Sequence, residues 1–595
     1  MSNSIIEKQI IELLLKDAKP IGVVGSPSDS FEVTIDIREV SAEDKLLGEM
    51  VCFLVKEGGK NVLVLGQITE IKTENKWHEE PSFKSVIKRH GSLPHLSGVA
   101  DNRIATITVQ SSFTLGKNEA DFPEAHKLAN SPSTGQPVKR ITNDLMRLLM
   151  KEYGKNLVCL GKAYDTDVCV PFWFKHFGNP KEGGAGDAYH IGVFGRTGSG
   201  KTVTAANMIL GYARNKEKIS ILILDPQEQF YCDNNVIPGK SFKSIIEDEI
   251  GCSYEKYIVP DQIHLPSDPY IFSELIFNSG FIRKAFRIMT EEKGELMRDV
   301  IDRYMRGRLN EGNIFERYTG GQFLTEMIQR FAQKDQEEDE RCSVYIADIY
   351  AAGTGGARGS LVRVMDRLAS GGVGAELEAI WTNIWSLFQS NNGSKKSIES
   401  IIDDIISNNN KIVILNVAGR SSQFNFSENL QALFIKVIQE RIMQKGQDLY
   451  TRGEQANCLV VMDEAHRFVS VDSSDPRIVE LSKNIIDAVR TTRKYGIGYM
   501  FITQTLESLH AEIRRQMRVF AFGYGLTSGS EFAKIRDIIN DDAATKFYKS
   551  FIDPTSNGKY PFMFYGPVSP LSFTGSPLFL EMDEELTIFN PETGS

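Results

Sequence analysis

Few cysteines, few histidines, no long apolar run and no excess of positive charge distinguish this chain by what it does without. Its seven cysteines in 595 residues (Cys52, Cys159, Cys169, Cys232, Cys252, Cys342 and Cys458) form no CxxC pair. Scattered and odd in number, they predict reduced thiols rather than a disulfide framework, and a cytoplasmic compartment. Nine histidines show no HExxH or similar spacing, which predicts no zinc site. No stretch approaches the roughly 18–20 apolar residues of a membrane span. The opening MSNSIIEKQIIELLLKDAKP carries charges through its apolar part, unlike a signal peptide. A formal net charge of −10 excludes a molecule coated in basic surface, so any nucleic-acid contact must be confined to a patch.

What is present is a globular composition, 41% hydrophobic and 25% charged, in a chain long enough for two or three domains. Residues 19 to about 175 alternate apolar and polar in short runs such as GEMVCFLVKEGGKNVLVLGQITEI and RIATITVQSSF. That period predicts a small barrel or sandwich, taken here as a domain over 1–175 with a leading apolar helix. From 176 to 580 the pattern becomes α/β: strands YHIGVFG, ISILILDP, KIVILNV, CLVVMDEAH, YMFITQT and RVFAFGYGL separated by helical stretches. Residues 236–405 read as a mostly helical insertion in that core, and 581–595 as a tail. The helix after KIVILNV is expected to end at Gly446, and the one opened by Asp475-Pro476 near Gly496.

The strongest signal is GRTGSGKT at 195–202, a match to G-x4-GK[ST] between a strand and a helix. Gly195, Thr197, Gly198, Ser199 and Gly200 would curl the backbone so that its N–H groups face a phosphate. Lys201 would neutralise the β/γ oxygens, Thr202 would hold Mg²⁺, and Val203 completes the expected nucleotide-binding residues. In LVVMDE (459–464), Asp463 would join Thr202 around Mg²⁺ and Glu464 would act as general base on water, so the pair predicts ATP hydrolysis rather than simple transfer. The bland alternative, an acidic helix cap, loses ground beside a phosphate loop. Gln504, at the end of the next strand, is placed to sense the γ-phosphate. Arg493 lies at the far end of the preceding helix, poorly placed for its own loop and well placed for a neighbour's; Arg490 is the fallback, and a helix-dipole role is the alternative for both.

With GRTGSGKT at 195–202, ILILDPQEQF at 221–230, LVVMDEAH at 459–466, RKYG at 493–496 and FITQT at 501–505 in this order, the chain resembles the HerA family of hexameric ATPases, relatives of the FtsK DNA pumps. The resemblance implies a RecA-like core with a helical-bundle insertion behind a HAS-type barrel. It further implies a homohexameric ring with ATP and Mg²⁺ at subunit interfaces and double-stranded DNA at the centre. Relatives work with an effector, a nuclease or a sirtuin-like NAD-consuming enzyme, in DNA processing or antiphage defence. The leading expectation is therefore a DNA translocase with Glu464, Gln504 and a trans Arg493 at the chemistry. The alternative is a nucleotide-regulated scaffold that assembles an effector without pumping DNA. A membrane coupling ATPase is disfavoured for want of a membrane segment. At 225–228, DPQE departs from the commoner Asp-Pro-His-Gly-Glu run and leaves the roles of Asp225 and Glu228 open. Two arginine groups, Arg303, Arg306 and Arg308, and Arg358, Arg363 and Arg367, are basic candidates for a DNA path, but both are interleaved with acids and read first as solvated helical faces.

Overall fold

The computed structural model describes residues 10, 12–14, 20–115, 124–153, 157–176, 187–215, 218–232, 236–237, 239–259, 261–333, 349, 355–391, 393–408, 410–418, 428–469, 476–572 and 575–588. Strands are numbered in chain order. The first seven are β1 (Gly22–Val24), β2 (Glu32–Ile37), β3 (Met50–Glu57), β4 (Lys60–Glu74), β5 (Asn102–Leu115), β6 (Glu124–His126) and β7 (Pro137–Arg140). They run in the order β2-β1-β7-β3-β4-β5-β6, and an added β2–β5 pairing closes six of them into a barrel with β6 outside the ring.

Alternation decides which way each barrel side chain faces. Val51, Phe53, Val62 and Val64 fill the barrel with Val33 and Ile107. Their neighbours Met50, Cys52, Leu63 and Leu65 point outward and are buried against the second domain. This double burial is why MVCFLV and NVLVL are apolar throughout. In the leading segment, Ile10 and Leu14 are buried in the same outer cluster, a helix packed on its own barrel; Ile5, Ile6 and Ile11 lie outside the described residues.

The second sheet has eleven strands, β8 (Val158–Ala163), β9 (Cys169–Phe172), β10 (Ile191–Phe194), β11 (Ser220–Asp225), β12 (Ser253–Ile258), β15 (Lys411–Asn416), β16 (Cys458–Met462), β17 (Ile497–Thr503), β18 (Val519–Gly523), β19 (Tyr560–Tyr565) and β20 (Leu578–Ile588). A separate two-stranded pair joins β13 (Ile263–His264) and β14 (Lys396–Ser397). The order is β12-β15-β11-β16-β17-β10-β18-β19-β20-β8-β9, parallel as far as β18 and antiparallel beyond it. By hydrogen bonding the change of sheet falls between Arg140 and Val158, ahead of 175, and β20 carries the core to 588, past the expected tail boundary at 580. β12 likewise belongs to the core sheet although it lies within 236–405.

The parallel strands are apolar on both sides because both faces are covered. Leu222, Leu224, Val460, Met462, Tyr499 and Phe501 face one layer, in which Phe272, Phe315, Trp381 and Trp385 anchor the helical insertion. Their neighbours Ile221, Ile223, Leu459, Val461, Met500 and Ile502 face the helix Lys201–Ala213 and the barrel. The insertion and the barrel thus sit on opposite faces of one sheet.

Two expectations are corrected here. The helix expected to stop at Gly446 runs from Glu428 to Thr451. Gly446 lies inside it because a Cβ there would come within 2.8 Å of Ile497 Cδ1, so the glycine serves close packing on β17 rather than a cap. The thiols are not all reduced: Cys159 and Cys169, 5.8 Å apart at Cα, form a disulfide across the β8–β9 pair. Their ten-residue spacing signalled nothing until the β8–β9 pair brought them within reach, although each faces a different residue in the register. Cys52, Cys232, Cys252 and Cys458 are free, and Cys342 lies outside the described residues. Among the described residues no helix is long and apolar enough to cross a membrane, and no group of three metal-ligating side chains occurs.

Candidate nucleotide-binding site

The expected loops converge because adjacent parallel strands end at one edge of the sheet. Phe194, last in β10, pairs with Thr503, last in β17, so Gly195 and Gln504 leave the sheet at one level. β16 lies beyond β17 and ends at Met462, which releases Asp463 and Glu464 at the same edge; β11, next in order, ends at Asp225.

The phosphate loop turns through Gly198 (φ 82°) and Gly200 (φ 85°). At Gly200 a Cβ would also meet the Tyr560 ring at 2.7 Å, so conformation and space both demand glycine. Thr197 and Gly198 form the exposed crown of the loop, Ser199 is buried with an unpartnered hydroxyl, and Val203 is half-buried in the first turn below. The helix begins at Lys201, so its unsatisfied amides open on the loop. Lys201 Nζ donates to the Arg196 carbonyl at 3.0 Å, and the Thr202 hydroxyl donates to Gln229 Oε1 at 2.6 Å. Burial draws the Lys201 ammonium below its ordinary pKa, opposed by the charges of Glu464 and Asp463.

Asp463 and Glu464 are 2% and 6% exposed. Burial, then the nearby Asp225 and Glu464 charges, pushes the Asp463 carboxyl up to about 7. One oxygen of each carboxyl, Asp463 Oδ2 and Glu464 Oε2, is buried without a hydrogen-bond partner. Glu464 has left-handed backbone (φ 46°), a conformation that costs a non-glycine residue on the order of 1–3 kcal/mol. Its Oε1 accepts a long 3.5 Å contact from Gln504 Nε2. Its Oε2 lies 3.1 Å from His466 Nδ1, outside hydrogen-bonding geometry, and burial lowers the His466 pKa against the opposing charge of Glu464. A buried unpaired polar atom costs about 1–3 kcal/mol. Two of them beside a loop shaped for phosphate fit a site completed by a divalent cation and nucleotide, with Thr202 and Asp463 as the groups to hold the cation.

Several residues of this site lay inside quoted motifs without being assigned a role there. Gln229 holds the Thr202 hydroxyl, and His466 faces the general-base candidate. Asp225 accepts the backbone amides of Gln227, Gln229 and Tyr231 and so shapes the turn that presents Gln229. Glu228 (φ 63°) accepts from Asn416 Nδ2 at 2.9 Å. The DPQE departure is thus accommodated as turn architecture. The signal for Gln229 lay in the run DPQEQF, which spacing alone could not rank.

Arg493 is not brought to this edge. It precedes β17, whose seven residues span about 23 Å, and its Nη2 pairs with Asp187 Oδ2 at 2.9 Å. Arg490 pairs with Glu512 at 2.6 Å. Neither arginine meets the phosphate loop of its own chain.

Residues 188–442 match the family described as the central domain of the helicase HerA, and residues 385–521 match zonular occludens toxin (Zot). No curated protein matches the chain. Among solved structures, VirB4 of Thermoanaerobacter pseudethanolicus is 13% identical, covering 72% of this chain and 96% of its own at a TM-score of 0.35. The genome-packaging NTPase B204 of Sulfolobus turreted icosahedral virus 2, in complex with ATP-gammaS, is 16% identical over 31% of this chain and 71% of its own, TM-score 0.20. The pCW3 conjugation coupling protein TcpA, monomer form with ATPgS, is 10% identical over 89% of this chain and 87% of its own, TM-score 0.25. Likenesses this distant carry no argument about activity.

Proposed function

We propose that this chain, a P-loop ATPase of the HerA/FtsK type by its central domain, is a cytoplasmic motor that hydrolyses ATP to move duplex DNA as a homohexameric ring. The observation that carries the reading is the meeting of Lys201, Asp463, Glu464 and Gln504 at one sheet edge, with a buried, unpartnered oxygen on each carboxyl. Lys201 and the loop amides bind the phosphates of ATP. Thr202 and Asp463 hold Mg²⁺, which when bound offsets phosphate charge. Glu464 takes a proton from the attacking water, and Gln504, already touching Glu464, orients that water.

Arg493 belongs to the neighbour's site in this reading. It is half-exposed in its pair with Asp187, and an exposed pair of that kind is worth about 0–1 kcal/mol, so contact with a neighbouring subunit can displace it. Output passes to an effector partner, a nuclease or a sirtuin-like NAD-consuming enzyme, in DNA processing or antiphage defence.

The test is the steady-state ATPase rate with and without duplex DNA across a salt series. A motor is stimulated by DNA, and the stimulation declines steeply as salt rises. A rate indifferent to DNA at every salt would replace this reading with a nucleotide-regulated scaffold for the effector.

A further inference from the structure

The arginines of the helical insertion differ in their partners. Several are neutralised: Arg298 lies 2.5 Å from Glu274, Arg306 2.8 Å from Asp302, and Arg308 2.6 Å from Glu311 and 3.2 Å from Glu326. The Arg306 and Arg308 side chains are therefore committed within the fold. Arg287, Arg363 and Arg367 are different. All three are exposed, none has a carboxylate partner among the described residues, and all line one cleft of about 400 Å³.

The cleft is built rather than incidental. The helix Gly355–Gly371 buries Leu361, Met365 and Leu368 in the insertion core, which turns Arg363 and Arg367 outward one helical turn apart. Their Cα atoms rise about 6 Å along the axis, comparable to the step between successive phosphates of a nucleic-acid strand. Arg287 comes from a different segment, in left-handed backbone (φ 55°), directly after Phe286, which is buried and lies among the apolar residues of the cleft. Arg363 Nη2 donates to Ser360 Oγ at 3.2 Å, which orients that guanidinium at the mouth. Asp366, in the same helical turn, does not line the cleft.

Like charges at i,i+4 destabilise a helix, and a third cation from another segment adds to the repulsion. An anion relieves it. Guanidinium groups favour phosphate through paired N–H donors. A small free anion would gain little at so open a surface, whereas a polyanion gains by releasing its condensed counterions. The net charge of −10 makes the distant field repulsive, so short-range contacts of this kind would have to supply the attraction. We propose that Arg287, Arg363 and Arg367 form a phosphate-backbone contact for duplex DNA on the helical insertion, separate from the nucleotide site. The inference rests on the DNA-motor reading.

The experiment compares the full-length chain with the triple variant Arg287→Gln, Arg363→Gln, Arg367→Gln and with an equal-charge control in the barrel, Lys84→Gln, Lys88→Gln, Arg89→Gln. Binding of a fluorescent 30-base-pair duplex is followed by anisotropy over a salt series, and ATPase without DNA is measured alongside. The expected result is at least about tenfold weaker binding by the triple variant and a log–log salt slope smaller by about 2–3. The control and the DNA-free ATPase rate should be unchanged. If the parent chain binds duplex and is stimulated by it while the triple variant behaves identically, the site is overturned and the motor reading stands. If the parent chain does not bind duplex at all, both fall.

Discussion

At the scale of single residues, the active-site assignments turn on Glu464. Its backbone is strained, its carboxyl is nearly buried, and one oxygen is left without a partner. A side chain held at such cost at the end of a core strand is better explained by chemistry than by capping. Glu464→Gln keeps the shape and the Gln504 contact but removes the base. It should leave ATP binding within a few-fold of the parent and lower steady-state hydrolysis by about 10²–10⁴. Radiolabelled ATP retention and phosphate release check the two halves separately, and unaltered turnover would remove the general-base role. Asp463, Lys201 and Thr202 were legible from spacing alone because a phosphate loop and an acidic strand end leave little choice of residue type. Gln229 and His466 were not, since each acts through a neighbour that the chain order does not reveal.

At the scale of elements, a buried polar contact set helps join the barrel to the core sheet. Gln67 on β4 donates from Nε2 to the carbonyls of Gly48 (2.7 Å) and Phe579 (2.9 Å), and its Oε1 accepts from the Phe579 amide (3.0 Å). Gln110 on β5 adds a donation to the Pro577 carbonyl at 3.1 Å. These bonds tie the barrel to the antiparallel extension that β20 contributes to the core sheet. Gln67→Leu keeps most of the volume and strands the Phe579 amide in a dry interface, at a cost of about 1–3 kcal/mol. The expected readout is a lowered midpoint for thermal unfolding of the full chain, and an unshifted midpoint would show that the contact set does not stabilise the junction. Alternation in the sequence identified the barrel but assigned Val158–Phe172 to it. The short apolar runs there fit either sheet, and pairing with β20, more than 400 residues away in the chain, decided between them.

At the scale of the whole molecule, the proposed ring rests on where Arg493 lies. Arg493 stands at the opposite edge of the sheet from the loop, so a hydrolysing unit needs at least two copies if this residue is the finger. Arg493→Ala and Lys201→Ala rings should each be nearly inactive, with losses of about 10³ or more where the finger is removed. Mixed in equal amounts under conditions that exchange subunits, they should regain part of the parent rate, because some interfaces then pair an intact loop with an intact arginine. Mixed rings verified by mass that stay inactive would assign Arg493 to its Asp187 pair and to nothing further.

The sequence by itself determined what local chemistry dictates: a phosphate loop between strand and helix, an acidic pair closing a buried strand, a polar strand end at Gln504, and the alternating and helical periods that separate barrel, core and insertion. Each depends on residues close together in the chain, where type and spacing constrain the physics directly. The tertiary structure alone decided matters that join distant segments. It placed β8, β9 and β20 in the core sheet, paired Cys159 with Cys169, put the insertion and the barrel on opposite faces, and gathered three arginines without carboxylate partners around one cleft. Partnership of charges and registry of strands depend on what lies opposite in space, and linear order does not carry that information.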